Sequence, residues 1–455
     1  MKIGIVGGGL TGLALAQRLG RANHQVTVFE RERQVGGLAT YHDYGRFYWD
    51  RFYHVILPSD RHLINFIGDL GLVEQLRWRR TLTGFFVDNR LYSLSSGLDF
   101  LQFSPLSFVS KCRFMFTILF GSRLKNWRRL EQIPVAQWLR KTSGKATFEK
   151  IWKPLLLAKL GTEYERVSAV FIWSYITRMF SARDRSTQKE HLGYVAGGYK
   201  TIFDKLESVI NHNGGDIRTG VSVNRIEPRQ GGGLWLQHND IKEHFDKVIF
   251  TSPVDVLQRI ASERLVDLQR RGDSVEYLGV ICMVLVTRAP LVPHYIVNIA
   301  DPRVPFTGII GLSNLADPSE TAGLHVTYLP KYVHSDSPML LQSDGDIRRS
   351  FFAGLKIMFG NWEKCGVESI HINRARRVQP LQVLNYSALV PQVSTAHSDF
   401  FVLNTSQFTH MTLNNNEVIR AVDEFLSKHE ATFGVGEKIQ PATIASRKHE
   451  AVQAI

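Results

Sequence analysis

The chain has 455 residues, more than one hydrophobic core usually fills, so two closely packed domains are expected. Its composition is that of a globular protein, 44% apolar and 21% charged, and its formal charge of +13 points to an anionic partner: a phosphorylated substrate or an anionic membrane surface. Nucleic acid is excluded, since no zinc-finger spacing or RNA-binding aromatic signature occurs, and the widely separated Cys112, Cys282 and Cys365 exclude a disulfide framework or structural zinc site and fit a reducing, cytoplasmic compartment.

In chain order, residues 2–6 (KIGIV) read as a short apolar strand, residues 10–20 as a helix and residues 25–30 (QVTVFE) as a second strand, which completes a βαβ unit. The N-terminus superficially resembles a signal peptide, but its glycines fall where a cofactor would bind, and it is read as mature structure. Residues 76–185 are rich in aromatic, basic and helical-pattern segments. Three strands are expected at 217–226, 234–238 and 242–251, separated by Gly231-Gly232-Gly233 and Asn239-Asp240 turns. The apolar run 277–287 opens a second mixed region that extends to about 385. A strand at 400–403 leads into a helix from Asn415 to Leu426, and from Ser427 onward the lost periodicity predicts a mobile tail. No run of 18 apolar residues is present, so no spanning helix is expected.

Gly7-Gly8-Gly9-Leu10-Thr11-Gly12 fits G-x-G-x-x-G between strand and helix. Gly7 permits the tight turn, Gly9 lets a diphosphate approach the backbone, and Gly12 lets the helix pack on the strand. The helix N-terminus offers unpaired amides and a positive dipole end. Glu30 ends the second strand 18 residues beyond Gly12, where a carboxylate holding ribose hydroxyls belongs.

The continuation Glu30-Arg31-Glu32-Arg33-Gln34-Val35-Gly36-Gly37 resembles the flavin amine oxidase superfamily, which includes protoporphyrinogen oxidases, carotenoid desaturases and UDP-galactopyranose mutases. An acidic residue followed six and seven residues later by a glycine pair marks that family, and Leu38 stands where amine oxidases proper carry arginine. Residues 191–206, 217–226, 246–253 and 402–422 are similar to its later segments. The resemblance implies FAD, and implies cofactor contacts at Gly7, Gly9, Leu10, Thr11, Gly12, Glu30, Arg31, Gly36, Gly37, Leu38, Val223, Ser406, Asn415 and Asn416. It also implies an α/β fold: a doubly wound, Rossmann-like FAD-binding domain (1–75, 186–255 and 386–427) with an inserted mixed α+β substrate domain (76–185 and 256–385), and a tail at 428–455.

Residues 44–60 match the mutase segment whose histidine lies near the flavin, which makes His54 the candidate catalytic residue, with a structural histidine as the alternative. No residue from Ser274 to Thr287 is the lysine that amine oxidases hold at this strand, and no second G-x-G-x-x-G offers a nicotinamide site. Arg374 and Arg376 are candidate substrate-phosphate ligands, or else a solvated strand end. Between Phe100 and Leu130 there is no acidic residue, and lysines and arginines alternate with apolar ones. That pattern suits an interfacial helix on the cytoplasmic membrane face, or a core helix of the substrate domain. The expected reaction is dehydrogenation of an apolar, isoprenoid or lipid-linked substrate by hydride transfer to flavin. The alternatives are a redox-neutral sugar-nucleotide mutase and a non-catalytic flavoprotein partner.

Overall fold

The computed structural model describes residues 1–181, 191–265 and 275–435. The chain opens with β1 (Lys2–Val6), α1 (Leu10–Arg21) and β2 (Gln25–Glu30), then β3 (Tyr41–Asp43), β4 (Tyr48–Asp50) and α2 (Arg61–Asp69). Strands β5 (Leu76–Arg80), β6 (Thr83–Val87) and β7 (Arg90–Ser93) lead into a helical region. It comprises α3 (Gly97–Gln102), α4 (Phe108–Arg123), α5 (Trp127–Leu130), α6 (Val135–Ser143), α7 (Lys145–Thr147), α8 (Lys153–Leu160) and α9 (Val170–Ser181), with a π turn at Phe148–Trp152 joining α7 to α8. Next come β8 (His191–Val195), α10 (Tyr199–His212), β9 (Asp216–Thr219), β10 (Val223–Pro228), β11 (Leu234–His238), β12 (Ile241–Phe245), β13 (Lys247–Phe250) and α11 (Val254–Ile260). The remainder holds β14 (Tyr277–Thr287), β15 (Ile296–Ile299), β16 (Gly308–Gly311), β17 (His325–His334), α12 (Asp344–Met358), β18 (Val367–Pro380), β19 (Phe400–Val402), α13 (Asn415–Lys428) and α14 (Glu430–Phe433).

A five-stranded sheet of order β19-β13-β1-β2-β9 is parallel throughout. Its strands are apolar on both faces because both are covered. Helices α1, α10 and α13 cover one face, and the antiparallel β10–β12 meander covers the other through Ile226, Leu234, Leu236 and Phe245. The Rossmann-like fold expected from the sequence is present, with a meander in place of helices on the second face.

Two expected strands are each divided in two. Residues 217–226 break at Gly220, whose φ of 69° is left-handed, so β9 joins the parallel sheet and β10 starts the meander. Residues 242–251 break at Asp246, whose carboxylate accepts from the Lys2 amide at 2.7 Å. The expected mobile tail is corrected over its first part: α13 runs to Lys428, and Phe433 of α14 is fully buried against Phe401 and Phe425. Residues 436–455 of that tail lie outside the described residues, as do residues 186–190, where the second segment of the FAD domain was expected to begin.

The second layer is a seven-stranded sheet of order β18-β14-β17-β16-β15-β6-β7. All 11 residues of β14 are buried, as its unbroken apolar run requires between two antiparallel neighbours. Val280, Cys282 and Val284 face β4 and the segment after it, while Ile281, Met283 and Leu285 face α12. Helices α4–α9 form a third core around Trp138, Phe148 and Phe171. The β5–β8 pair connects this part to the first.

Candidate flavin site

After β1 the chain turns at Gly7 (φ 118°), and a Cβ on Gly12 would lie 2.0 Å from the Gly7 carbonyl oxygen, so α1 and the turn touch without any side chain between them. The two glycine motifs meet in space: the Gly36 amide donates to the Gly8 carbonyl at 2.8 Å, and a Cβ on Gly37 would be 3.3 Å from Gly9 Cα. Gly36 has φ 109°, a conformation that L side chains rarely adopt.

Sequence reasoning assigned no role to Gly8, yet a Cβ there would lie 2.8 Å from Glu30 Cβ. The Gly8 amide donates to Glu30 Oε2 at 2.7 Å, and the Glu32 amide donates to Oε1 at 2.8 Å. Those bonds fix the carboxylate and leave lone pairs for ribose hydroxyls. Val221 and Gly220 donate to the Glu30 and Glu32 carbonyls at 2.9 and 2.8 Å, which brings the start of β10 at Val223 beside this carboxylate. The Val223 side chain is buried between sheet and meander.

The site fits a dinucleotide. Leu10, Thr11 and Gly12 form the first turn of α1, which has no side-chain cap and no acidic residue. A Cβ on Gly9 would meet nothing nearer than Gly37 Cα at 4.0 Å, so an open space faces these amides and the positive end of the helix. Leu38 sits half-buried at the rim, in the turn Gly37–Ala39. At the far side of the sheet switch point, Asn404 Nδ2 donates to the Ser252 carbonyl at 2.9 Å, and Thr251 Oγ1 donates to the Gly7 carbonyl at 3.1 Å.

Three of the expected cofactor residues have their side chains engaged within the protein. Arg31 is exposed and bonded to Glu32 at 2.7 Å. Ser406 is buried in a turn, with Oγ donating to Asn404 Oδ1 at 2.5 Å. Asn416 is also buried and accepts from the Leu63 amide at 3.2 Å, which braces α2. Neither of the last two side chains is free to reach a ligand. Asn414 caps α13 by accepting from the Glu417 amide at 3.0 Å, and Asn415 lies beside the Tyr199 hydroxyl.

Asp50 organises the next layer. It is buried, it accepts from the Tyr199 amide at 2.7 Å at the start of α10, and its carbonyl accepts from the Tyr328 hydroxyl at 2.7 Å. His54 Nδ1 lies 3.7 Å from Asp50 Oδ2 without a hydrogen bond, and its ring is 5.0 Å from that of Tyr199. On the opposite side of the same segment, Tyr53 pairs its hydroxyl with that of Tyr332 at 2.7 Å. Lys159 Nζ sits 3.1 Å from the centre of the Tyr332 ring. Burial raises the Tyr53, Tyr175 and Tyr332 hydroxyls and lowers the Lys159 ammonium to about 7, yet all four side chains keep accessible surface. Together they form a half-buried cluster of three tyrosines and one ammonium.

Arg374 and Arg376 lie outside this cluster. Arg374 pairs with Asp344 of α12 at 2.7 Å and donates to the Gln342 carbonyl at 2.8 Å, on the other face of the sheet, and Arg376 is exposed. The arginine on the near side is Arg51, locked reciprocally to Asn373 at 3.2 Å.

The profile described as flavin containing amine oxidoreductase matches residues 10–369. A probable zeta-carotene desaturase of Synechococcus elongatus is 25% identical over 305 residues, covering 58% of this chain and 60% of that protein. A 15-cis-phytoene desaturase of Arabidopsis thaliana is 22% identical over 288 residues, covering 57% and 49%. The chain thus spans about half the length of the curated relatives it matches. A putative protoporphyrinogen oxidase from Exiguobacterium superposes with a TM-score of 0.72 at 17% identity, over 94% of this chain and 98% of that one, a likeness of fold. With the fingerprint, the glycine pair and a match over most of its length, the chain belongs to the flavin containing amine oxidoreductase family, whose cofactor here is FAD.

Proposed function

We propose that this protein dehydrogenates an apolar, isoprenoid or lipid-linked substrate while docked on an anionic membrane surface. The bound flavin supplies the hydride acceptor. The observation that carries the reading is α9, which is a wall shared by two apolar regions. On one side Ile176 packs within 3.4 Å of a Cβ built on Gly121 of α4, and on the other Tyr175 joins the cluster of Tyr53 and Tyr332.

Helix α4 is built inside out. Ser110, Thr117 and Gly121 face the protein, while Phe108, Phe116 and Phe120 are 72%, 56% and 40% exposed. With exposed Leu98 and Leu101 of α3, and with Lys111, Arg113 and Arg123 on the same helix, this face suits insertion into an anionic interface. Phe114 points inward and stacks on Trp152 at 5.0 Å. No helix among the described residues is long and apolar enough to cross a membrane.

The residues divide the work. Gly9 and the α1 amides hold the diphosphate, Glu30 holds a ribose, and the Tyr53–Tyr332 pair orients the substrate and excludes water. His54, with Nδ1 unbonded, is the candidate proton carrier. The redox-neutral mutase reading is not adopted, because the arginines meant for its phosphates are engaged elsewhere or exposed. Anaerobic absorbance titration tests the choice. Bleaching of the flavin by isoprenoid or lipid-linked candidates supports dehydrogenation, whereas turnover only after dithionite reduction overturns it. NADH or NADPH alone should not bleach the flavin rapidly.

A further inference from the structure

Resting on the reading above, we propose that Tyr53, Tyr175 and Tyr332 enclose an aromatic cavity for the substrate, that the substrate carries an anionic oxygen group, a carboxylate or phosphate, and that Lys159 is the residue that receives it there. Tyr53 and Tyr332 pair their hydroxyls at 2.7 Å, Tyr175 lies close to both, and Lys159 holds its ammonium against the Tyr332 ring.

Its position is held from two sides. Thr307 Oγ1 donates to the Ala158 carbonyl at 2.8 Å and accepts from the Tyr332 amide at 3.4 Å, so the end of α8 and the ring under the ammonium share one clamp. Upstream, the π turn Phe148–Trp152 inserts an extra residue into the helix and resets which way Lys159 points, an irregularity frequent at functional sites.

No carboxylate pairs with Lys159 among the described residues. The nearby acids are occupied: Glu149 by Lys153 at 3.0 Å and Glu163 by Arg166. The titratable groups that face the cavity from β14, β17, α9 and the segment after β4 are Cys282, Tyr332, Tyr175 and Tyr53, and burial holds each of them protonated. A desolvated ammonium without a counter-ion is costly, and a ligand that supplies the missing charge gains what the fold has left unpaired. A cationic amine would be repelled, and a pure hydrocarbon would leave the ammonium as it is. An apolar body fits the tyrosines, and one anionic group fits Lys159.

The test uses FAD-loaded protein and four probes, decanoate, decyl phosphate, decan-1-ol and decylamine, in isothermal titration calorimetry at pH 6 and pH 9. At pH 6 at least one of the two anions should bind ten-fold or more tightly than the alcohol and the amine. That preference should shrink at pH 9, where the lysine is neutral. Lys159→Met should abolish the preference, and Lys159→Arg should keep most of it. Equal binding of anions and alcohol, or a preference that survives in Lys159→Met, overturns the proposal. Competitive acetic anhydride labelling of the wild-type protein, read by mass spectrometry, needs no variant: a Lys159 that titrates above pH 9 also overturns it. If the anion preference holds while no candidate bleaches the flavin, dehydrogenation fails and the lysine assignment stands. The converse result removes the lysine assignment alone.

Discussion

The five-stranded and seven-stranded sheets build their candidate sites from different materials. Around the first, function rests on the backbone: amides of Gly8 and Glu32 fix Glu30, glycine carbonyls and Cα atoms touch, and a side chain at Gly12 would be impossible. Around the second, the proposed site rests on side chains: a tyrosine pair, a half-buried lysine and a histidine beside Asp50. Backbone sites tolerate almost no substitution because geometry is all they have. Side-chain sites can be retuned one group at a time, so a single family can keep its cofactor and change its substrate.

The sharpest way to break that contrast is at the glycines. Gly12→Val should leave no folded yellow protein, since its Cβ would overlap the Gly7 carbonyl at 2.0 Å. Gly9→Val should fold, because its Cβ enters open space, but should retain less than about a tenth of the flavin, that space being the diphosphate path. Circular dichroism together with the ratio of 450 to 280 nm absorbance separates the two. A yellow Gly9→Val protein would show that the diphosphate runs elsewhere. Next in size is Glu30→Ala, which orphans two amides and a ribose. The loss of about 1.5–3 kcal/mol per charged hydrogen bond predicts roughly 10–100-fold weaker FAD retention, measured by equilibrium dialysis.

Within the helical region, Phe114→Ala should cost about 2–3 kcal/mol in denaturant unfolding, because the ring is stacked on Trp152. Phe116→Ala and Phe120→Ala should stay within about 0.5 kcal/mol, yet should cut binding to anionic vesicles. Equal destabilisation by all three would mean that α4 is an ordinary core helix. The smallest effect belongs to Lys159→Met. The folded lysine titrates at about 7, below the ordinary 10.5, so the unfolded chain binds more protons between those values and stability rises with pH across that window. Removing the lysine should therefore raise Tm by about 2 °C or more at pH 6, and the gain should fade toward pH 10. A destabilised variant at pH 6 would show that the lysine is paired.

The same contrast governs what the sequence could tell. Gly7, Gly9, Gly12, Glu30 and the Gly36-Gly37 pair were legible because backbone constraints tie residue type to position. Gly8 was not, since its reason is the Glu30 side chain 22 residues away. Lys159 sits in KPLLLAKL, where it reads like any helical surface lysine, and the π turn before it defeats extrapolation at 3.6 residues per turn. The faces of Arg374 and Arg376 were hidden for a related reason. Alternation says that neighbours point oppositely, but only the pairing partner, Ile281 for Arg374, says which face is which. The break at Gly220 is legible as a glycine within a strand pattern, the mark of a bend between two sheets.

The order in which the parallel sheet acquires its strands has a consequence for biosynthesis. β1 and β2 emerge from the ribosome first, β9 and β13 follow, and β19 with α13 comes roughly 370 residues after Glu30. At about 5–20 residues per second, on the order of half a minute separates the first glycine turn from the edge strand that closes the sheet beside Ser252. Throughout that interval the strand edge beside β13 is open and the nucleotide cradle lacks the part that β19 and α13 complete.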